Sequence, residues 1–226
     1  MERGGVVSRE MRVGVLASGR GSNFEALWNA SEAGELGARI VCLASDNPES
    51  VALQRARDFG LPTCCVESSK RRGRLPREAE SEIVTFLRSH AVDLVCLAGF
   101  MRIIGEALLE AFPGAILNIH PSLLPSFPGL DAQRQALEHG AKVSGCTVHL
   151  VDAGVDSGPI VLQAVVPVRD DDTAATLAAR ILEHEHEIYP RAVRLWAAGR
   201  LRVEGRRVLG ADRETSRSRH IQEAKP

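Results

Sequence analysis

The chain carries no surplus of either charge, no long apolar run and no paired-cysteine motif, and each absence removes a class of function. Its 28 lysines and arginines stand against 29 aspartates and glutamates, for a formal net charge of −1. That balance argues against a broad nucleic-acid or anionic-membrane surface but permits a local cationic pocket. No apolar run reaches the roughly 18–20 residues that a membrane-spanning helix requires. Residues 1–10 (MERGGVVSRE) lack the apolar stretch of a secretory leader, so the cytoplasm is the expected location. The five cysteines, Cys42, Cys64, Cys65, Cys96 and Cys146, include no C-x-x-C pair. Neither a zinc site nor a redox motif is therefore spelled out, and the cysteines are expected to be small buried hydrophobes.

What is present is an alternation of strands and helices. Residues 12–17 (RVGVLA) form a short β-prone run, followed by Ser18-Gly19-Arg20-Gly21-Ser22-Asn23 and then by Phe24, Leu27, Trp28 and Ser31 at helical spacing. Strand, glycine turn and helix open a βαβ unit. Further strands are expected at 40–44, 62–66, 93–98 and 115–119, with helices at 50–59, 76–89 and near 106–111. Prolines at 121, 125 and 128 exclude a helix there. A helix at 132–139 and two long β-prone runs at 143–151 and 160–168 follow. A last helix from Thr173 is expected to break or kink at Tyr189, the residue before Pro190. The fold expected is α/β: a Rossmann-like, doubly wound, mostly parallel sheet with helices on both faces, the two long runs pairing differently. Residues 11–205 form one domain with halves at 11–112 and 113–205, between an extension at 1–10 and a charged, disordered tail at 206–226.

Three clusters are candidates for chemistry. The glycine turn at 18–23 exposes backbone N–H groups at a helix N-terminus, where the dipole favours an anion. It lacks the third glycine of a dinucleotide fingerprint and the lysine of a P-loop, so a plain tight turn is an equal reading. Asp46, beside Asn47-Pro48, reads as a surface turn residue. Asn118 and His120 stand two apart at a strand end and share a face. An amide and an imidazole there could stabilise an oxyanion and move a proton, or could simply form a turn. Asp156, in the loop 152–159 (DAGVDSGP), is a turn former unless that loop lies against the Asn118 strand. His184 and His186, in the run EHEHE, do not share a helix face and read as a solvated surface. The basic cluster Lys70-Arg71-Arg72-Gly73-Arg74 reads as an exposed loop and, lacking interleaved aromatics, not as a nucleic-acid site.

Residues 118–137 (NIHPSLLPSFPGLDAQRQAL) resemble the folate-dependent formyltransferases. So, in order and spacing, do 18–23, 97–104 (LAGFMRII), 145–151 (GCTVHLV), 155–163 (VDSGPIVLQ) and 185–190 (EHEIYP). The resemblance spans about residues 12–203. It implies Asn118, His120 and Asp156 as the catalytic trio. Gly21, Ser22 and Asn23 are then the loop for a ribonucleotide phosphate, with Glu185 on the glycinamide part. Met101, Arg102, Ile103, Ile104 and Val151 form the folate pocket, and Arg102 is a formyl-folate contact. Arg77 corresponds to a family arginine, although residues 70–76 shift its spacing.

The resemblance further implies formyl transfer from 10-formyltetrahydrofolate, as co-substrate, to the amine of glycinamide ribonucleotide, with no metal, nucleic-acid or membrane partner, by a monomer or homodimer. In that chemistry Asn118 donates to the oxyanion and a protonated His120, held by Asp156, stabilises it, while Asp156 relays the proton through water. Rival expectations are a formyltetrahydrofolate hydrolase, disfavoured by the phosphate loop and Pro128-Gly129-Leu130, and a tRNA formyltransferase, expected to carry a basic C-terminal module. A non-catalytic nucleotide-binding module is a third.

Overall fold

A computed structural model describes residues 9–66 and 73–211. Its centre is a nine-stranded sheet built from β1 (Met11–Leu16), β2 (Ala38–Ser45), β3 (Thr63–Cys65), β5 (Leu94–Leu97), β7 (Ile116–His120), β8 (Val143–Leu150), β9 (Ile160–Pro167), β10 (Arg202–Glu204) and β11 (Arg207–Leu209). The spatial order is β10-β11-β9-β8-β7-β5-β1-β2-β3. The run from β3 to β7 is parallel throughout. β8 then lies antiparallel to both β7 and β9, so the two long runs do pair differently. A two-residue strand, β4 (Gly73–Arg74), pairs with β6 (Arg102–Ile103) away from the main sheet.

Side-chain alternation along the strands assigns two cores. Val13, Val15, Leu94, Cys96, Leu117, Ile119, Cys146 and Val148 point to one face, under α1 (Ser22–Glu32), α2 (Val51–Asp58) and α6 (Ala174–Ala197). Leu16, Val95, Leu97 and Ile116 point to the other, under α3 (Arg77–Ser89) and α4 (Glu106–Ala111). A fifth helix, α5 (Ala132–Glu138), follows the proline loop. The second face changes character along the sheet. At β1 and β5 it is hydrocarbon; at β7 and β8 the same alternation presents Asn118, His120, Thr147 and His149. Because β1, β5 and β7 are parallel, the loops after all three leave the sheet at one edge, on the side where open α/β sheets bind ligands.

Several expectations are corrected. α6 runs unbroken through Pro190. An interior proline costs about 3 kcal/mol, but this helix buries Leu177, Ile181, Ile188, Tyr189, Val193 and Leu195, each worth about 1.5–3 kcal/mol if aliphatic. The Tyr189 hydroxyl also lies 3.0 Å from the carbonyls of both Leu97 and Leu117 and shares its one proton between them, pinning the helix across two strands. The tail does not begin at Arg206. Residues 202–209 form a hairpin turned at Gly205 (φ 59°), and Arg207 pairs with Ile160 at the edge of β9. Cys42, Cys96 and Cys146 are buried as expected, whereas Cys64 and Cys65 are half-exposed on the short strand β3. Within the basic cluster, Gly73 and Arg74 form β4; residues 70–72 lie outside the described residues, as do 1–8 and 212–226. Among the described residues no helix is long and apolar enough to cross a membrane.

Candidate active site

The polar face of β7 and β8 is assembled by register. Asn118 lies directly opposite His149, and His120 opposite Thr147, so all four side chains emerge side by side. The Asn118 amide nitrogen is 3.1 Å from His149 Nε2. Thr147 serves the loop that follows. Its hydroxyl donates to the Ser122 carbonyl at 2.6 Å and accepts from the Leu124 N–H at 3.0 Å. Gln163, across on β9, donates to the Leu124 carbonyl at 2.9 Å. The proline loop is thus fastened to the sheet next to His120, which donates from Nε2 to the Phe127 carbonyl at 2.9 Å.

The loop between β8 and β9 folds back over this face and brings Asp156 to it. Asp156 Oδ2 is 3.3 Å from His120 Nδ1 and accepts the Gly129 N–H at 2.8 Å. Its Oδ1 is 3.4 Å from the Asn118 amide nitrogen and 3.6 Å from His149 Nε2. The three expected residues therefore converge. Asp156 adopts a left-handed backbone (φ 50°), uncommon outside glycine, asparagine and aspartate. The loop closes tightly: a Cβ at Gly158 would come within 1.8 Å of the Leu150 carbonyl oxygen. His149 is the group that sequence reading left unused. The two-residue repeat of a strand puts it on the face of Thr147, but its partner is fixed only by the β7–β8 register.

Burial and charge oppose each other here. Burial pushes the His120 imidazole below its usual 6.5, against the upward pull of Asp156. For Asp156 burial acts upward, yet the bond to His149 and the proximity of His120 hold the carboxyl below its usual 3.8. Burial thus works against the imidazolium expected for His120, while the Asp156 carboxylate works for it. Only the charged ring, however, gives both nitrogens a proton to offer the acceptors they face, Phe127 O and Asp156 Oδ2.

At the same edge of the sheet, Gly21 precedes α1 in a left-handed conformation (φ 75°), and a Cβ there would lie 2.6 Å from that of Ala52. Only glycine fits this turn, which leaves the first N–H groups of α1 unused by the helix. Asn23 is buried and donates to Glu185 at 2.7 Å, while its own Oδ1 is buried with no partner among the described residues. Glu185 turns inward from α6, and burial raises its carboxyl above the usual 4.5 in spite of the Asn23 bond. The EHEHE run is thus not a solvated face throughout: Glu185 is buried, and His186 lines a groove between α1 and α6 with Ser22 and Glu25.

The 101–104 segment is split. Met101 and Ile103 are exposed, Ile104 belongs to the core, and Val151 is half-buried. The Arg102 side chain is buried against Asp46, with Nε 2.6 Å from Oδ2. Asp46 is consequently no surface turn residue. Arg77 opens α3 with an exposed side chain, and the arginine bonded to the 101–104 backbone among the described residues is Arg74, on the Ile104 carbonyl at 3.3 Å.

Residues 11–193 match the family model described as formyl transferase. The chain belongs to the formyl transferase family. It is 43% identical over 180 residues to a Bacillus subtilis protein named phosphoribosylglycinamide formyltransferase, covering 80% of this chain and 91% of that protein. It is 43% identical over 195 residues to the human trifunctional purine biosynthetic protein adenosine-3, covering 86% of this chain but 19% of that protein. The chain thus spans less than a fifth of that relative's length. Among solved structures, glycinamide ribonucleotide transformylase 1 from Symbiobacterium toebii superposes with a TM-score of 0.84 at 51% identity, covering 88% of this chain and 93% of the other. A formyltetrahydrofolate deformylase from Pseudomonas syringae pv. tomato superposes at 0.82 with 27% identity, covering 89% and 66%. The sheet described above is the formyl transferase fold.

Proposed function

We propose that this formyl transferase moves the formyl group of 10-formyltetrahydrofolate onto the amine of glycinamide ribonucleotide, a step of purine synthesis. The observation that carries this reading is the meeting of Asn118, His120 and Asp156 over one point of the β7 face, beneath the 151–159 loop. The amine attacks the formyl carbon; a new C–N bond forms, the C–N10 bond breaks, and one proton passes from the amine to N10. Asn118 donates to the oxygen that becomes negative between these events. His120, as an imidazolium held by the Asp156 carboxylate, stabilises the same oxygen. Asp156 holds the imidazole and carries the proton between the nitrogens, through a water. Gly21, Ser22 and Asn23 receive the phosphate at the α1 terminus. The buried, unmatched Asn23 Oδ1 calls for a donor from the ligand, and Glu185 beside it supplies an acceptor or, with its raised pKa, a proton. Met101, Ile103 and Val151 offer apolar surface to a pterin, with Arg102 behind them. The reading gives no role to a metal and none to a nucleic acid or membrane, and it places the enzyme in the cytoplasm as a monomer or homodimer.

The likeness to a deformylase makes water the competing acceptor. An absorbance assay of folate deformylation, supplied with glycinamide ribonucleotide, initiator methionyl-tRNA or no acceptor, decides among them. Turnover only with the ribonucleotide is expected; equal turnover without any acceptor would replace the transferase by a hydrolase.

A further inference from the structure

The loop after β1 and the loop after β5 are joined by a closed ring of buried polar groups, of which Ser18 and Asp46 have no part in the proposed chemistry. The Ser18 hydroxyl donates to Asp46 Oδ1 at 2.5 Å and accepts the Met101 N–H at 2.9 Å. Asp46 Oδ2 accepts from Arg102 Nε at 2.6 Å, and Arg102 follows Met101 in the chain, which closes the circuit. Ser18 is 7% exposed, Asp46 9%, and the Arg102 side chain 7%. Ser18 is tied further by its own N–H to the Gly99 carbonyl and by its carbonyl to the Asn47 amide, at 3.1 and 3.0 Å.

We propose that Asp46 is a positioning residue that couples the two substrate sites, so that occupation of the 18–23 loop strengthens binding at the 101–104 segment and the reverse. This rests on the assignment of the first loop to the ribonucleotide and the second to the folate. A carboxylate has two oxygens, and here each holds a different loop. Ser18 donates and accepts in the same ring, so each bond polarises the next, and the ring is shielded from water, where such bonds are strongest. A ligand that bears on Ser18 acts through the Asp46 carboxylate on Arg102, and the second ligand then meets a segment the first has already adjusted. Such an effect is a reciprocal coupling factor between two affinities.

The test is calorimetric titration of glycinamide ribonucleotide and of tetrahydrofolate, which has no formyl group to transfer, each alone and with the other saturating. In the wild-type protein each ligand is expected to tighten the other by the same factor, at least about 5-fold. In Asp46→Asn, which keeps an acceptor for Ser18 but can no longer accept from Arg102 through the lost carboxylate oxygen, the factor should fall below about 2. A purely structural role would weaken each ligand equally with and without its partner, leaving the ratio at its wild-type value; that result overturns the proposal. So does a wild-type factor of one. Ser18→Ala leaves the Asp46–Arg102 pair intact and serves if Asp46→Asn does not fold: an undiminished factor there is equally fatal. Wild-type protein that binds neither ligand would remove the site assignment itself, a failure read before any variant is made.

Discussion

Two structural devices supply the polar groups of the site, and they differ in how tightly they are held. Asn118, His120 and His149 stand on paired strands, where register sets their spacing and hydrocarbon packs the opposite face. Asp156 stands on a loop, with a left-handed backbone and, among the described residues, a single backbone donor, Gly129, on its carboxylate. The strand groups form a prebuilt cradle. The loop group is delivered to it, and outside the strands its delivery depends on Gly158 packing against Leu150 and on Arg206 of the terminal hairpin, which donates to the Ser157 carbonyl at 2.7 Å. Placement by register is rigid, whereas placement by a loop leaves a path for substrate to enter and leave.

Removing the delivered group is the strongest way to break this arrangement. Asp156→Asn retains an acceptor for Gly129 but surrenders the charge facing His120 and His149. It is expected to lower kcat about 10²–10⁴-fold, the range for lost proton transfer, with a small change in melting temperature because the loop contacts survive. Steady-state kinetics beside thermal unfolding checks both halves; near-normal kcat would show that the loop brings no chemistry. A smaller loss belongs to the cradle. Asn118→Ala should cost about 10²–10³ in kcat, as for one oxyanion donor, with KM for both substrates nearly unchanged and the ladder of β7 undisturbed. If KM rose instead while kcat held, Asn118 would be a binding group and the oxyanion would need another donor.

Sequence patterning and physical position coincide where the deciding interaction is local. The helix over Glu106–Ala111 was readable from its apolar spacing, and the shared face of Asn118 and His120 from the two-residue repeat of a strand. What escaped reading depends on partners far along the chain. Asp46 looks like a turn residue until Arg102, 56 positions later, lies against it. Glu185 looks solvated until α6 packs on α1 and meets Asn23, 162 positions earlier. Pro190 should break a helix, but the packing of Tyr189 and its neighbours on two strands outweighs the cost. Charge-rich residues from 206 resemble a tail because a hairpin on a sheet edge needs little hydrocarbon. The convergence of Asn118, His120 and Asp156 was legible only through family resemblance, since no local rule brings residue 156 over residue 120.

The finest probe of strand against loop is the pH dependence of stability, because the two groups act in different windows. The His120 imidazole in the folded protein lies below its ordinary 6.5. As pH falls below 6.5 the unfolded chain takes up this proton first, so stability declines until the folded pKa is passed. Half-buried His186, shifted the same way by burial, adds to that decline. Asp156 lies below its ordinary 3.8. Its contribution is complete above that value and is lost as pH falls through the folded pKa, a window it shares with Asp172, bonded to Arg180. Buried Glu185 is shifted upward and works in the opposite sense, its burden easing as acid protonates it. Melting curves across pH 3–8 should therefore show His120→Gln flattening the upper decline without abolishing it. Asp156→Asn should weaken the lower decline and, by removing the carboxylate that supports the imidazolium, extend the upper one to more acid pH. An upper limb unchanged in Asp156→Asn would mean that the loop does not reach the strand in solution, whatever the distance between 120 and 156 at rest.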